Sequence, residues 1–126
     1  FGLSLGWEDL TLRNVSSFQA LRGKFAPGGM IDLYACAAAD DSSTNGFSGN
    51  GWLLMGEIAG HAGALLRASD AVQVFRRSII RRWLVGAPLE PIHLGIDCGE
   101  WEGNVWIFAP DGAEPTLDTA PGRGER

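Results

Sequence analysis

The run Met30-Ile31-Asp32-Leu33-Tyr34-Ala35-Cys36-Ala37-Ala38-Ala39 constrains the fold more than any other stretch of the chain. It is entered through Pro27-Gly28-Gly29 and left through the polar loop Asp40-Asp41-Ser42-Ser43-Thr44-Asn45-Gly46. A short apolar run bounded by turn formers reads as a buried strand of a parallel sheet. Its carboxyl end carries Cys36, and in open α/β sheets reacting groups gather outside the carboxyl ends of the strands. Cys36 is therefore a candidate nucleophile, provided that a base stands beside it.

The flanking segments fit one α/β domain over residues 1–109. Leu3-Ser4-Leu5 and Leu10-Thr11-Leu12 alternate around Gly6-Trp7-Glu8-Asp9 as in a hairpin. Asn14 or Ser16 can cap a helix reaching about Phe25, with Phe18, Leu21 and Phe25 on one face. A second helix starts near Asn50, with Gly63 as its C-terminal cap, and Ala64–Ser69 forms the next strand. This order is a strand–helix–strand crossover, which is nearly always right-handed. Residues 76–84 fit either a helix or a strand pair. Residues 92–96 and 104–108 read as two strands. From residue 110 to 126 Pro, Gly, Asp, Glu and Thr dominate, which predicts a polar arm, extended or disordered.

Length and composition bound the function. At 126 residues, 45% hydrophobic and 20% charged, the chain is one soluble-type domain able to bury a core. No stretch approaches the roughly 20 apolar residues of a membrane span. A net charge of −5 disfavours general affinity for nucleic acid or anionic membrane. Cys36 and Cys98 do not make a disulfide framework, although they can pair in an oxidising compartment. The first residue is Phe1, so the chain is processed, trimmed or part of something longer.

Several constellations carry chemistry. A cysteine nucleophile needs a base within hydrogen-bond reach or a field that lowers its pKa. Of the two histidines, His61 falls in the last turn of the second helix and His93 lies within an apolar strand. Neither is placed beside Cys36, and the bland reading of that residue is a buried structural thiol. Asp41-x-Ser43-x-Asn45-Gly46 matches the first half of a calcium loop, but the twelfth position is Trp52 rather than glutamate. No metal site or cofactor is expected. The glycine-rich stretch 46–51 lacks the lysine of a P-loop and the spacing of a dinucleotide fingerprint. Glu100 and Glu102 flank Trp101 and can act as an acid/base pair or simply occupy an exposed turn. Arg76, Arg77, Arg81 and Arg82 form a basic cluster in an acidic chain. It can dock an acidic partner or lipid headgroups, or be a solvated face.

The span from Leu3 to about Asp70 resembles a family of bacterial domains of unknown function found in large surface-associated proteins, the DUF4347 type. The matching pieces are Leu3-Ser4-Leu5-Gly6, Leu10-Thr11, Pro27-Gly28-Gly29, Leu33-Tyr34-Ala35-Cys36, His61-Ala62-Gly63-Ala64 and Ala68-Ser69-Asp70. That family is in turn similar to the caspase/gingipain-type cysteine peptidases. The resemblance implies a mostly parallel caspase-like sheet with flanking helices and a C-terminal strand pair. It implies Cys36 at the nucleophile position, Asp70 near the primary specificity pocket, and an extracellular or cell-surface setting. The partner histidine of that fold sits in a His-Gly motif at the end of a preceding strand, which by order falls before Phe1.

Two functions follow as expectations. The first is a non-catalytic structural or interaction subunit of a larger assembly, binding other protein chains with Arg76, Arg77, Arg81 and Arg82 as contacts. The alternative is a cysteine endopeptidase or self-processing domain, with Cys36 as nucleophile and a histidine supplied from outside this chain.

Overall fold

The computed structural model describes residues 3–5, 8–41, 51–73 and 100–122. The fold is α/β, with a four-stranded mixed sheet covered on one face by a helix. A two-stranded hairpin comes first: β1 (Leu3–Leu5) pairs antiparallel with β2 (Glu8–Leu10), with Leu3 opposite Leu10. The second strand thus begins two residues earlier than the alternation suggests. Asn14 ties this hairpin to the next element. Its Oδ1 accepts from the Thr11 amide at 2.8 Å and its Nδ2 donates to the Asp9 carbonyl at 2.9 Å.

The helix expected as far as Phe25 is a 3₁₀ helix over Val15–Leu21. Serines 16 and 17 favour caps and turns over helix interiors, and the i to i+3 bonds of the tighter helix run on past Leu21. Ser17 donates to Asn14, Arg22 to Gln19 and Lys24 to Leu21, at 3.0–3.1 Å. Gly23, at φ +74°, then turns the chain away. Val15 is the buried residue of this helix. Phe18 packs against the core, and Leu21 is exposed.

Ala26-Pro27-Gly28-Gly29 is a tight turn with proline second and glycine third, closed by the Gly29 amide on the Ala26 carbonyl at 2.8 Å. Gly28 sits at φ +77°, the left-handed conformation that a type II turn needs at that position. The chain leaves it into β3 (Met30–Leu33), shorter than the apolar run. Beyond Leu33 the backbone folds into a turn, and Ala37 adopts a left-handed φ of 51°. Ala37 and Ala39 still donate to the Ala71 and Ser69 carbonyls at 2.9 Å, so the run stays attached to its neighbour without continuing as a strand.

Helix α1 (Gly51–Ala62) returns across the sheet to β4 (Leu65–Ser69). Gly63, at φ +67°, ends the helix as expected, and its amide donates to the Ala59 carbonyl. Strands β3 and β4 are parallel, Met30 beside Leu65 and Leu33 beside Ala68. The crossover read from the sequence is therefore present. β5 (Val105–Phe108) lies antiparallel to β4, and β6 (Thr116–Asp118) antiparallel to β5. Parallel pairing is thus confined to β3–β4 among the described strands. Along 110–122 the chain turns at Pro110 and Asp111 and then forms β6, which lies at one edge of the sheet. The first of the two C-terminal strands, expected over 92–96, and the helix or strand pair expected over 76–84 lie outside the described residues, and the second, expected over 104–108, is β5.

The core forms on one face of the sheet. Leu54, Met55, Ile58, Ala59 and Ala62 make a buried stripe on α1, the spacing of an amphipathic helix. Leu54, Met55, Ile58 and Ala59 of that stripe belong to one cluster with Leu66, Ala68 and Phe108 of the sheet and with Leu10, Val15, Ala38 and Ala39. Trp52 meets Trp106 at 5.0 Å and Phe108 edge-on at 6.5 Å, extending the cluster sideways.

Two glycines of α1 carry opposite consequences. A Cβ at Gly51 would meet the Asp40 carbonyl oxygen in hard overlap, with the Ala38 oxygen and Asp40 nitrogen both at 2.8 Å. These are backbone atoms and cannot swing aside. A Cβ at Gly56 meets nothing within 4 Å among the described residues. Gly51→Ala is expected to lower stability by about 2–3 kcal/mol, the scale of a forced core overlap. Gly56→Ala should raise it by about 0.5–1 kcal/mol through helix propensity. Urea unfolding midpoints of the two variants check both signs.

Candidate functional site

The loops that end β3 and β4 and the segment that begins β5 meet at one margin of the sheet. Cys36 lies there, three residues past β3, with its side chain exposed. Its Sγ contacts the Gln73 carbonyl at 3.9 Å, a long and weak thiol contact. The margin itself is held by buried polar groups. Gln73 donates from Nε2 to the Ala71 and Glu102 carbonyls at 3.0 Å and accepts the Glu102 amide on Oε1 at 3.2 Å. The Ser69 hydroxyl donates to the Glu102 carbonyl and accepts from the Ala71 amide. With both side chains buried, these bonds satisfy groups that water cannot reach.

Asp70 belongs to the same margin. Its Oδ1 accepts the Asn104 amide at 2.9 Å, while Oδ2 accepts Asn104 Nδ2 at 3.0 Å and Trp106 Nε1 at 3.3 Å. The carboxylate that the resemblance implies for a specificity pocket is thus engaged in joining β4 to β5. Gly103 makes that approach feasible. It sits at φ +73°, and a Cβ there would overlap Ala71 and stand 2.8 Å from Asp70 Oδ1.

The sheet face away from α1 carries a second polar group, centred on Arg67. Its Nε and Nη2 donate to the two oxygens of Asp32 at 3.0 and 2.9 Å, a bidentate fork. Its Nη1 donates to Asp118 Oδ2 at 3.1 Å and to the Pro121 carbonyl at 2.9 Å. The guanidinium also lies 5.5 Å from the Trp101 ring, which stacks on Tyr34 at 3.9 Å. These partners raise the Arg67 pKa above its ordinary value, the Asp32 hydrogen bond first, against burial that lowers it. A raised arginine pKa contributes stability throughout the range below its ordinary value, and that contribution is lost only in strong alkali.

His61 lies at the opposite margin. It sits four residues before Leu65, the residue paired with the first residue of β3. Its Nε2 is 3.6 Å from Glu57 Oε2. Arg22 reaches over it to satisfy the end of α1, donating from Nε to the His61 carbonyl at 3.2 Å and from Nη2 to the Gly60 carbonyl. The structure therefore brings Cys36 and Asp70 to one margin and puts His61 at the other. Asp41 is exposed, and the rest of the candidate calcium loop lies outside the described residues, as do His93, Cys98, Arg76, Arg77, Arg81 and Arg82. Glu100 and Glu102 have exposed side chains. Among the described residues no three His, Cys, Asp or Glu side chains are grouped to hold a metal ion. No helix among them is long and apolar enough to cross a membrane.

Sequence reasoning missed Ser69, Gln73 and Arg67. Arg67 was legible as a charge inside an apolar strand, Ala64–Ser69, which calls for a partner across the sheet. Gln73 gives no such signal.

No family model, curated protein or solved structure matches the chain.

Arg67→Met leaves Asp32 and Asp118 without their shared cation and is expected to cost about 3 kcal/mol of stability. Arg67→Lys keeps the charge but loses the fork, and should cost about half as much. Equal losses for the two variants, measured by urea unfolding, would show that the charge contributes nothing once the fork is lost.

Proposed function

We propose that this chain is a non-catalytic structural or interaction module, built on a caspase-like α/β arrangement and working with other protein chains in a larger assembly. The observation that carries this reading is the separation of Cys36 from His61 by the full length of α1. Among the described residues, the polar neighbour of the thiol is a main-chain carbonyl, which cannot take a proton from it. The side chains of Ser69, Asp70 and Gln73 at that margin are closed on their neighbours, as suits a rigid scaffold better than a reacting centre. An interaction role is further supported by strand β3, which among the described strands is paired on one side only. A strand edge with free N–H and C=O groups offers a template for another chain.

The rival reading is a cysteine endopeptidase or self-processing domain, with Cys36 as nucleophile and its histidine brought by another segment or chain. What favours it is the exposure of the thiol just past the carboxyl end of a parallel strand. Alkylation separates the two. In a Cys98→Ser background, iodoacetamide should modify Cys36 at pH 6 no faster than it modifies N-acetylcysteine, as followed by intact mass. A tenfold or greater excess over that reference, abolished by Cys36→Ser, would mark an activated thiolate and overturn the non-catalytic reading.

A further inference from the structure

A groove of about 640 Å³ runs between the outward side of α1 and the connection from β5 to β6, and none of the margin residues around Cys36 line it. Its floor is formed where α1 carries Gly56 and Gly60. A Cβ at Gly56 would touch nothing within 4 Å among the described residues, and one at Gly60 would approach only the Pro110 carbonyl, at 3.8 Å. The missing side chains make the hollow. Leu53, 52% exposed, stands in its wall as a large aliphatic group facing solvent.

The rim is acidic. Glu57, Asp111 and Glu114 line it, against the single guanidinium of Arg22, which is fastened to the last carbonyls of α1. His61 adds a further cation only when protonated. The C-terminal end of α1 also lies here and contributes the negative end of its dipole. Apolar walls under a rim of carboxylates match one side-chain chemistry closely. Lysine and arginine lay an aliphatic stem along apolar surface and reach a charged head into a polar rim. Phosphate-bearing partners, such as nucleic acid or an anionic membrane, are repelled by the same carboxylates.

We propose that this groove is the docking site for a basic peptide segment of a partner protein, one in which leucine-like side chains alternate with lysine or arginine. The proposal deepens the interaction-module reading and rests on it. The leucine-like side chain enters over Gly56 beside Leu53, and the flanking cations meet Glu57 and Glu114. The volume lies within the range of sites that hold a few side chains of a ligand.

The test uses the full chain and a fluorescein-labelled hexapeptide alternating leucine with arginine, with a leucine–glutamate hexapeptide as counterpart, read by fluorescence anisotropy. The basic peptide is expected to bind saturably and the acidic one not. Glu114→Lys combined with Glu57→Lys should weaken binding at least tenfold. Gly56→Leu, which fills the hollow while leaving every rim carboxylate in place, should weaken it as much, and circular dichroism should show each variant folded. Equal binding of both peptides would overturn the proposal. So would undiminished binding to Gly56→Leu, which would reveal attraction by net charge alone. Sedimentation showing a dimer that Gly56→Leu dissociates would overturn it too, by giving the groove to a second copy. Failure here with an unreactive Cys36 removes the groove but leaves the interaction-module reading intact, whereas an activated Cys36 removes that reading first.

Discussion

Arg67 ties the strands on either side of it together across the face away from α1. It stands in the middle of β4, and its fork reaches Asp32 on the parallel strand at one side. Its remaining N–H groups reach across β5 to Asp118 and on to the Pro121 carbonyl. β6 is only three residues long and mostly exposed, so its pairing with β5 alone is a weak hold. The charge-assisted bond from Arg67 fixes the register of that strand, because a shift of one residue would turn Asp118 to the other face. The cost of burying the cation is met by geometry: two carboxylates, a carbonyl and the face of Trp101 surround it. A half-buried pair arranged in this way specifies an arrangement more than it adds stability.

The other face obeys a different physics. There the small side chains of Ala37, Ala38 and Ala39 let a turn pass directly under the start of α1, where Gly51 touches the Asp40 backbone. A larger residue on either side would push the helix away from Leu66 and Phe108. Close approach at this point sets where α1 begins. Its stripe of Leu54, Met55 and Ile58 then sets how it lies. Together they decide that the helix must end beside the beginning of β4, so the two margins of the sheet acquire separate populations of side chains.

Much of this was legible in the chain. The turn at Pro27-Gly28-Gly29, the end of α1 at Gly63, the strand after it and the crossover between them all follow from local chemistry, and local chemistry prevailed. The strand containing Cys36 was read too long because apolar content says nothing of backbone angles. The left-handed Ala37 accompanies the bonds of Ala37 to Ala71 and of Ala39 to Ser69, which are distant in the chain. The first helix ends at Leu21 rather than near Phe25 because apolar spacing does not fix where a helix stops, and its serines favour the tighter form. The polar margin was the least legible. Gln73 substitutes for a strand by bonding both the amide and the carbonyl of Glu102, and such a role depends wholly on where the chain returns.

The consequence for Cys36 is geometric. A helix of twelve residues is roughly 18 Å long at 1.5 Å per residue, and α1 lies between the turn that follows Cys36 and the position of His61. No rotamer of either side chain closes such a gap, so His61 cannot serve as the base for this thiol. The Asp70 carboxylate at the same margin is already bonded to Asn104 and Trp106, and the amide of Gln73 is closed on Glu102. Recruiting either to a reaction would mean breaking the joint between β4 and β5, which the core on the other face depends on. Among the described residues, the edge of β3 and the acid-rimmed hollow over Gly56 lie apart from that joint, and these are the two places that the proposed interaction role uses.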